Sequence, residues 1–345
     1  MNRSLPYLLL ILFGVVPSPQ SDSIILSEPI ATLGTVNEDI FLERPIDFCA
    51  GGGDTVYVLD NRALQVIAYD RSGNYLFRFG RQGSGPGEFA GPSAIAFVAG
   101  RVVIADNHLH RISLFTSGGL FLQSQPFAYI PVSLAAWDTK VLIGTRSGEA
   151  IVWSLDIHSP SEVKPLVFRD GLREELRNPW SGRQARPFLA VRNDNLFVML
   201  WESGTILHWN LTHMSRMPRI IHPNGPLLVA QQERNEETLD SLPRAARGNV
   251  GFVVFYSLAI LQSGELLVEM VVPGDEGAIG RIDVAVILDS QTGNQIGPVI
   301  HPHYWDHWML RVLDDDTWAW CAGGGTSIDL YDVPKTITAR SEGMK

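Results

Sequence analysis

The densest group of chemically active side chains lies near the C-terminus, in the run His301-Pro-His-Tyr-Trp-Asp-His-Trp308. Imidazole and carboxylate groups are common metal ligands, so His303, Asp306 and His307 are candidates for a divalent metal site. Their spacing matches no standard zinc pattern. The run also fits an aromatic binding or packing patch with Trp305 as a ligand contact, because Trp and Tyr combine a large contact area with a polar group.

A second group consists of arginines. Arg169, Arg173 and Arg177 are spaced four residues apart, which would place them on one face of a short helix. Guanidinium groups bind carboxylates and phosphates well, so Arg173 and Arg177 are candidate contacts for an anionic ligand. The alternative is a solvated helix face, since Glu174 and Glu175 dilute the positive charge.

Two Asp-Asn pairs, Asp60-Asn61 and Asp106-Asn107, each follow a strand-like run. Asp and Asn bond to local backbone and tolerate tight turns, so turn capping is their expected role. The residues that follow these pairs project from the turn, and we expect ligand contact from them instead: Arg62, His108 and His110.

The composition of the chain limits the classes of function that we expect. The 345 residues carry a net charge of −10, and 45% are hydrophobic, as in an ordinary folded chain. A negative net charge disfavours binding to nucleic acid, whose phosphates attract basic surfaces. The two cysteines, Cys49 and Cys321, could form a disulfide in an oxidising compartment, although strands in different parts of a fold need not approach closely enough.

The first 21 residues have the features of an export signal. Arg3 supplies the positive charge, and an apolar run from Leu5 to Val16 is too short for a typical membrane-spanning helix. We therefore expect a periplasmic or secreted protein with no membrane span after signal removal. An uncleaved anchor is the alternative, because the residues around Pro19 and Gln20 fit a cleavage site poorly.

The elements that would position these residues come from a repeat. Val-Tyr-Val-Leu-Asp-Asn at 56–61 returns as Val-Val-Ile-Ala-Asp-Asn at 102–107, and each copy is followed by an alternating strand and a Gly-centred turn. A period of 40–45 residues with four strands is typical of a β-propeller blade. We predict six blades with these approximate ranges: 45–89, 90–127, 128–168, 188–220, 257–299 and 307–337.

Ring closure and insertions complete the predicted architecture. An N-terminal strand from residues 30–33 or 39–42 would complete the last blade, because an open edge strand is a liability. Insertions between later blades would gather on one face, and two of them, Asp170–Arg177 and Leu227–Leu242, have helical stretches. Decorated loops on a rigid scaffold commonly carry binding sites.

The first blade resembles the NHL repeat. The resemblance rests on Tyr57–Asn61, Val66–Gly73 and the turn Gly83-Ser-Gly-Pro-Gly-Glu-Phe89, and is greatest to exported bacterial six-bladed propellers. It implies an all-β, six-bladed β-propeller of the NHL/TolB-like type. Some six-bladed relatives are metal-dependent enzymes, namely gluconolactonases, strictosidine-synthase-like proteins and amidating lyases. Their ligand set near the channel is not matched here, because the first strands at Pro45–Asp47, Pro92–Ala94 and Pro131–Ser133 offer one carboxylate and no His.

Two functions follow as hypotheses. The first is an exported, monomeric scaffold that binds a protein or a small ligand on the decorated face, without catalysis or a cofactor. The second is a metal-dependent hydrolase or lyase, lactonase-like or amidating-lyase-like, acting at the mouth of the central channel. The fold alone does not choose between them.

Overall fold

The computed structural model describes residues 24–26, 28–34, 40–160, 162–170, 172, 186–201, 203–215, 217–225, 254–273, 281–300, 308–314, 317–322 and 326–332. These residues form 25 strands in six sheets. Each sheet has four antiparallel strands, and one sheet has a fifth strand, which confirms the predicted six-bladed β-propeller. No helix occurs among the described residues. The two predicted helical insertions lie outside them, except for Asp170 and Leu172.

The first three blades are regular four-stranded sheets. Their strands are β3 (Pro45–Ala50), β4 (Thr55–Asp60), β5 (Gln65–Asp70) and β6 (Tyr75–Phe79) in blade 1; β7 (Pro92–Val98), β8 (Arg101–Asp106), β9 (Arg111–Thr116) and β10 (Phe121–Pro126) in blade 2; and β11 (Pro131–Trp137), β12 (Lys140–Thr145), β13 (Ala150–Asp156) and β14 (Val163–Phe168) in blade 3.

The last three blades follow the same order from the channel outward. Their strands are β15 (Pro187–Arg192), β16 (Asn195–Leu200), β17 (Ile206–Asn210) and β18 (Arg219–Ile221) in blade 4; β19 (Val254–Ile260), β20 (Leu266–Pro273), β21 (Arg281–Leu288) and β22 (Gln295–Ile300) in blade 5; and β23 (Trp308–Val312), β24 (Thr317–Ala322) and β25 (Ser327–Asp332) in blade 6.

The N-terminal segment closes the ring. Strand β2 (Ala31–Leu33) pairs antiparallel with β25 and becomes the fourth strand of blade 6, as predicted. The hydroxyl of Thr32 donates a 2.6 Å hydrogen bond to the carboxylate of Asp329 at this junction. A two-residue strand, β1 (Ile24–Ile25), adds parallel to β22 as a fifth strand of blade 5, which the sequence did not predict.

The core lies between the blades. The second strands are buried along almost their whole length, as in β4 and β8, because both of their faces contact neighbouring blades. The outer strands, such as β6, are mostly exposed. This sandwiching explains why inner strands are continuously apolar instead of alternating. Six apolar layers result, one at each junction between blades.

Candidate functional site

The first strands of the six blades surround a central channel of about 400 Å³. Most side chains that line it are apolar or small. Two carboxylates and two arginines are the charged exceptions among the described lining residues: Asp47, Asp314, Arg192 and Arg311.

Asp47 and Arg311 form an ion pair at the channel wall. Asp47 is 6% exposed, and its carboxylate accepts hydrogen bonds from Nε and Nη2 of Arg311 at 3.1 and 2.9 Å. It also accepts from the backbone amides of Phe48 and Ile95, both at 3.1 Å. One carboxylate thus connects blade 1 to blades 2 and 6, and its acceptor sites are occupied by protein donors.

The backbone before Arg311 is unusual. Met309 has a φ of 64°, in the left-handed region. It lies in a bulge of β23 that also occurs in the first strands of blades 1, 2, 3 and 5, so only its φ sets it apart. Within the described strands, no other non-glycine residue has a positive φ. Such strain accompanies sites that must aim a side chain, and here Arg311 reaches into the channel. The sequence analysis did not identify Arg311. It is the single charged residue of the apolar inner strand β23, and that feature could have singled it out.

Serines of the first strands connect successive blades. Ser93 Oγ donates to the carbonyl of Pro131 at 3.1 Å, and Ser133 Oγ donates to the carbonyl of Pro187 at 2.8 Å. Ser257 Oγ donates to the carbonyl of Leu310. Each bond joins one first strand to the next, so these hydroxyls hold the ring together.

The face on which the first strands begin, called the channel mouth below, carries one repeated backbone position. The backbone N–H of the residue after the second strand donates to the carbonyl just before a first strand, at 2.9–3.1 Å in blades 1 to 4. The donors are Asn61, Asn107, Arg146 and Trp201. The mouth therefore changes from Asn in blades 1 and 2 to Arg and Trp in blades 3 and 4. Beside Trp201, the guanidinium carbon of Arg186 lies 4.6 Å from the ring centroid, a cation–π contact.

Asp60 and Asp106 cap the turns at this mouth. The carboxylate of Asp60 accepts from the amides of Glu43, Arg44, Arg62 and Ala63, and Asp106 accepts from the equivalent four amides. Both carboxylates hold the connection between blades against the turn, as turn capping requires.

The predicted ligand contacts of blades 1 and 2 lie on this same face. Arg62 is exposed and pairs with Glu43 at 3.2 Å. His108 is exposed and packs over Gly91, where a Cβ atom would come within 2.5 Å of its imidazole. His110 is exposed with a φ of 50°, and its carbonyl accepts from the amide of Phe127. Their role in ligand binding stays a prediction.

Arg169 lies elsewhere than the sequence suggested. Its side chain is 8% exposed and folds beneath the turn of blade 3, where Nε donates to the carbonyl of Ala150 at 3.2 Å and Nη2 donates to that of Thr145. Burial lowers the pKa of Arg169 to about 10. Sequence reasoning had placed it on a shared helical face. The other candidates lie outside the described residues: Arg173, Arg177, His303, Trp305, Asp306 and His307.

The glycine-rich turn at 80–89 is a structural connection between blades 1 and 2. Arg111 donates to the carbonyls of Ser84, Gly85 and Glu88 at 2.6–3.1 Å, and the amide of Gly85 donates to Glu88 Oε2 at 2.7 Å. These contacts fill the turn with protein groups.

Cys49 and Cys321 are not joined by a disulfide in the structure, so the bridge considered from the sequence is not formed. The reason is geometric, since Cys49 packs in the layer between blades 1 and 2 and Cys321 in the layer between blades 6 and 1. Burial raises the pKa of the Cys49 thiol, and the nearby Asp47 carboxylate raises it further.

The described residues contain no group of three or more His, Cys, Asp or Glu side chains placed to hold a metal ion. They also contain no helix that is long and apolar enough to cross a membrane.

Three solved structures share the fold at low identity. A DUF4221 family member from Bacteroides vulgatus is 10% identical, with a TM-score of 0.58 over 91% of this chain and 98% of its own. A Bacteroides fragilis protein described as predicted to be exported is 12% identical, with a TM-score of 0.53 over 90% and 99%. Virginiamycin B lyase from Staphylococcus aureus is 10% identical, with a TM-score of 0.52 over 88% and 98%. At such identities the likeness concerns the fold alone.

Sequence comparison points the same way. No curated protein gave a significant match. Residues 37–143 match the family model DUF5128, described as a 6-bladed beta-propeller. This segment contains blades 1 and 2, where the repeat is clearest, the first strand of blade 3 and part of the second. The chain is thus a six-bladed β-propeller whose most regular blades carry the sequence pattern of the DUF5128 propellers.

Proposed function

We propose that this propeller is a binding scaffold without catalysis of its own, and that its ligand contacts the channel mouth over blades 3 and 4. One observation carries the proposal. The repeated mouth position holds Asn61 and Asn107 in blades 1 and 2 but Arg146 and Trp201 in blades 3 and 4. Arg and aromatic side chains are the types enriched at binding hot spots.

The interior of the channel supports binding over catalysis. Both carboxylates that line the described channel are in ion pairs, Asp47 with Arg311 and Asp314 with Arg71. A carboxylate that is already neutralised by a guanidinium is a poor metal ligand and a poor general base. The hydrolase or lyase hypothesis would need one of these pairs to open.

A thermal-shift screen of the purified chain tests the site. Neutral sugars, amino acids, short peptides and small anions are the probes, and each is measured on wild type, Trp201→Ala and Tyr75→Ala. Tyr75 is an exposed aromatic residue of an outer strand and serves as the control. Probes that stabilise wild type and Tyr75→Ala but not Trp201→Ala support the proposal. Stabilisation that survives in Trp201→Ala would place the site elsewhere.

Catalysis is tested separately. Hydrolysis of lactones and esters is measured with Ca²⁺, Mg²⁺, Mn²⁺ or Zn²⁺ added in turn. We expect no turnover above the rate in buffer. Metal-dependent turnover that disappears in Asp47→Asn would overturn the scaffold proposal in favour of an enzyme acting at the channel.

We also propose that the protein is exported and monomeric. The N-terminal features of an export signal support export, and a structural neighbour is described as predicted to be exported. Mass spectrometry of protein recovered from the periplasm, together with light scattering, tests both points. A retained leader or a stable dimer would contradict them.

A further inference from the structure

The first strand of each blade has a free edge that faces the channel. Each first strand pairs with its second strand on one side only, and the first strands contact each other around the ring: β3, β7, β11, β15, β19 and β23. In an antiparallel pair, every second residue directs its backbone N–H and C=O groups away from the partner strand. On these edges the groups point into the channel, where they need hydrogen-bond partners.

One channel-facing amide of each blade lies at the same level of the channel. Ser93 and Ser133 each bond to the carbonyl at the start of the next first strand, so neighbouring first strands run in the same direction. The strand registers place one equivalent channel-facing amide in each blade, and we call this set the amide ring: Phe48, Ile95, Leu134, Leu189, Leu258 and Leu310. Six backbone donors therefore surround the channel at one level.

Carboxylates of the protein occupy half of the amide ring. Asp47 accepts from the amide of Phe48 in its own blade and from that of Ile95 in blade 2, both at 3.1 Å. In blade 6, Glu269 Oε2 accepts from the amide of Leu310 at 2.7 Å. Hydrogen bonds from backbone amides to a carboxylate are charge-assisted and roughly twice as strong as bonds between neutral groups. The molecule itself thus shows which chemical group fits the ring.

The other half of the amide ring is open. Three amides on the consecutive blades 3, 4 and 5 have no acceptor among the described residues, and all three residues line the channel: Leu134, Leu189 and Leu258. The sequence explains the difference in blade 3, where Ser133 stands at the position of Asp47. Its hydroxyl donates to the carbonyl of Pro187, whereas the Asp47 carboxylate reaches the amide of the next blade. Three neighbouring donors therefore face the space of the channel.

The channel has a size and charge that suit a small acid. Its volume of about 400 Å³ lies in the range of small-molecule sites, about 300–1,000 Å³. Its two described carboxylates are paired with arginines, Asp47 with Arg311 and Asp314 with Arg71. Arg192 adds a positive charge to the lining. Among the described lining residues, an entering carboxylate thus meets no carboxylate without a paired arginine.

We propose that the open half of the amide ring binds the carboxylate of a small organic acid, as Asp47 and Glu269 occupy the other half. The site lies inside the channel, beneath the mouth over blades 3 and 4, so the rest of the acid extends towards Arg146 and Trp201. This inference rests on the proposed function and names the chemical class of its ligand.

Calorimetric titration of the full chain tests the inference. The carboxylate probes are acetate, hexanoate and 3-phenylpropanoate, and 3-phenylpropanamide is the neutral isostere of the last. Ionic strength is held constant with chloride, so that general screening cancels. We expect saturable binding of 3-phenylpropanoate, with the amide about tenfold weaker because its oxygen carries no charge. Equal affinity of these two probes, or no saturable binding of any carboxylate, would overturn the inference.

Two variants of Ser133 locate the site. Ser133→Asp places a carboxylate where blade 1 has Asp47, so the amide of Leu189 is taken and 3-phenylpropanoate should bind about tenfold more weakly or less tightly still. Ser133→Ala removes the same hydroxyl without adding a carboxylate and should bind the probe as wild type does. Unchanged affinity in folded Ser133→Asp, or an equal loss in Ser133→Ala, would overturn the assignment to this site.

A backbone change keeps the test valid if Ser133→Asp does not fold. Replacement of Leu189 by its α-hydroxy analogue turns the amide into an ester, which removes the N–H and keeps the side chain. Loss of this one donor should weaken binding of 3-phenylpropanoate about fivefold. The same replacement at Val191, whose amide faces the channel at another level, is the control. Equal affinities of the two esters would overturn the inference.

Trp201→Ala separates this inference from the proposed function. Carboxylate binding that Ser133→Asp removes and Trp201→Ala leaves intact would retain the amide-ring site and remove the contact at the mouth. Neutral probes that bind in a Trp201-dependent manner, with no saturable binding of any carboxylate, would retain the scaffold and remove the amide-ring site.

Discussion

At the scale of single residues, Asp47 shows how few polar contacts hold the ring. Its carboxylate accepts from blades 1, 2 and 6, and its ion-pair partner Arg311 is separated from it by 264 positions. Arg311 also donates to Ser257 Oγ at 3.0 Å, so blade 5 joins the same network. Such networks lose more than one bond when a single member is removed.

Asp47→Asn should therefore destabilise the fold by about 2–3 kcal/mol, because it leaves Arg311 partly buried without its counter-charge. The midpoint of urea unfolding measures this. Glu162→Gln is the control, since Glu162 pairs with Lys164 on the surface, where both side chains are about two-thirds exposed. That change should cost less than about 0.5 kcal/mol. Equal effects of the two changes would contradict the network role of Asp47.

His208 gives the protein a pH-dependent contribution in blade 4. Its ring is half-buried, stacks on Phe197 and contacts the Asn195 Oδ1 atom through Nε2 at 2.9 Å. Nδ1 accepts from Arg219 at 3.2 Å. Burial, followed by the charge of Arg219, lowers the pKa of His208 to about 4.

This lowered pKa predicts a loss of stability in mild acid. The unfolded chain binds a proton at His208 near pH 6.5 while the folded chain does not, so stability decreases as the pH falls from about 6.5 towards 4. Melting temperatures across this range should fall more steeply for wild type than for His208→Gln. Phe197 and Asn195 stay unchanged in that variant. Parallel curves would contradict a neutral His208 in the folded state.

At the scale of elements, the turn at 80–89 depends on glycine where the chain leaves blade 1. Gly80 has a φ of 85°, and a Cβ atom there would lie 2.2 Å from the ring of Phe89, which is fully buried. Arg111 and Glu88 hold the rest of the turn through hydrogen bonds to its backbone. The motif therefore serves the junction between blades.

Gly80→Ala should destabilise the chain more than Gly100→Ala does. Gly100 also has a positive φ, 79°, but nothing lies within 4 Å of its Cβ position. Both changes carry the cost of the left-handed backbone, about 1–2 kcal/mol, and the clash with Phe89 should add about 1–3 kcal/mol at Gly80. Thermal unfolding of both variants measures the difference. Identical melting temperatures would show that the Phe89 contact is irrelevant.

At the scale of the whole molecule, the N-terminal segment fastens two blades. Leu26 is buried between blades 5 and 6, and Leu33 is buried between blades 6 and 1. Strands β1 and β2 cover the outer edges of β22 and β25. The segment thus adds apolar burial and covers two strand edges at once.

Removal of residues 24–34 should lower the melting temperature and cause association. Each lost leucine removes about 1.5–3 kcal/mol of burial, and the exposed edges of β22 and β25 can pair with other chains. Ile30→Ala is the control within the same segment, since Ile30 is 50% exposed and should contribute little. Size-exclusion chromatography and calorimetry provide the readouts. A truncated chain that stays monomeric with unchanged melting temperature would contradict this role.

The sequence by itself determined the period, the six blades and the closing strand. These depend on local patterns: strand-length apolar runs, Gly-centred turns and Asp-Asn pairs such as Asp60-Asn61 and Asp106-Asn107, all of which repeat with the blade. Hydrophobic burial acts on such patterns wherever they occur along the chain, so they are visible without tertiary structure.

Only the tertiary structure decided which polar groups meet. Asp47 pairs with Arg311 because ring closure brings the first and last blades together, and no local spacing encodes a contact across 264 positions. Arg169 was expected on a helix surface, yet it lies beneath the turn of blade 3, because the connection between blades 3 and 4 starts at the outer strand and its first side chain reaches inward. Cys49 and Cys321 lie in neighbouring blades but in different layers, since the face on which a strand side chain lies, and not its blade, decides what it contacts.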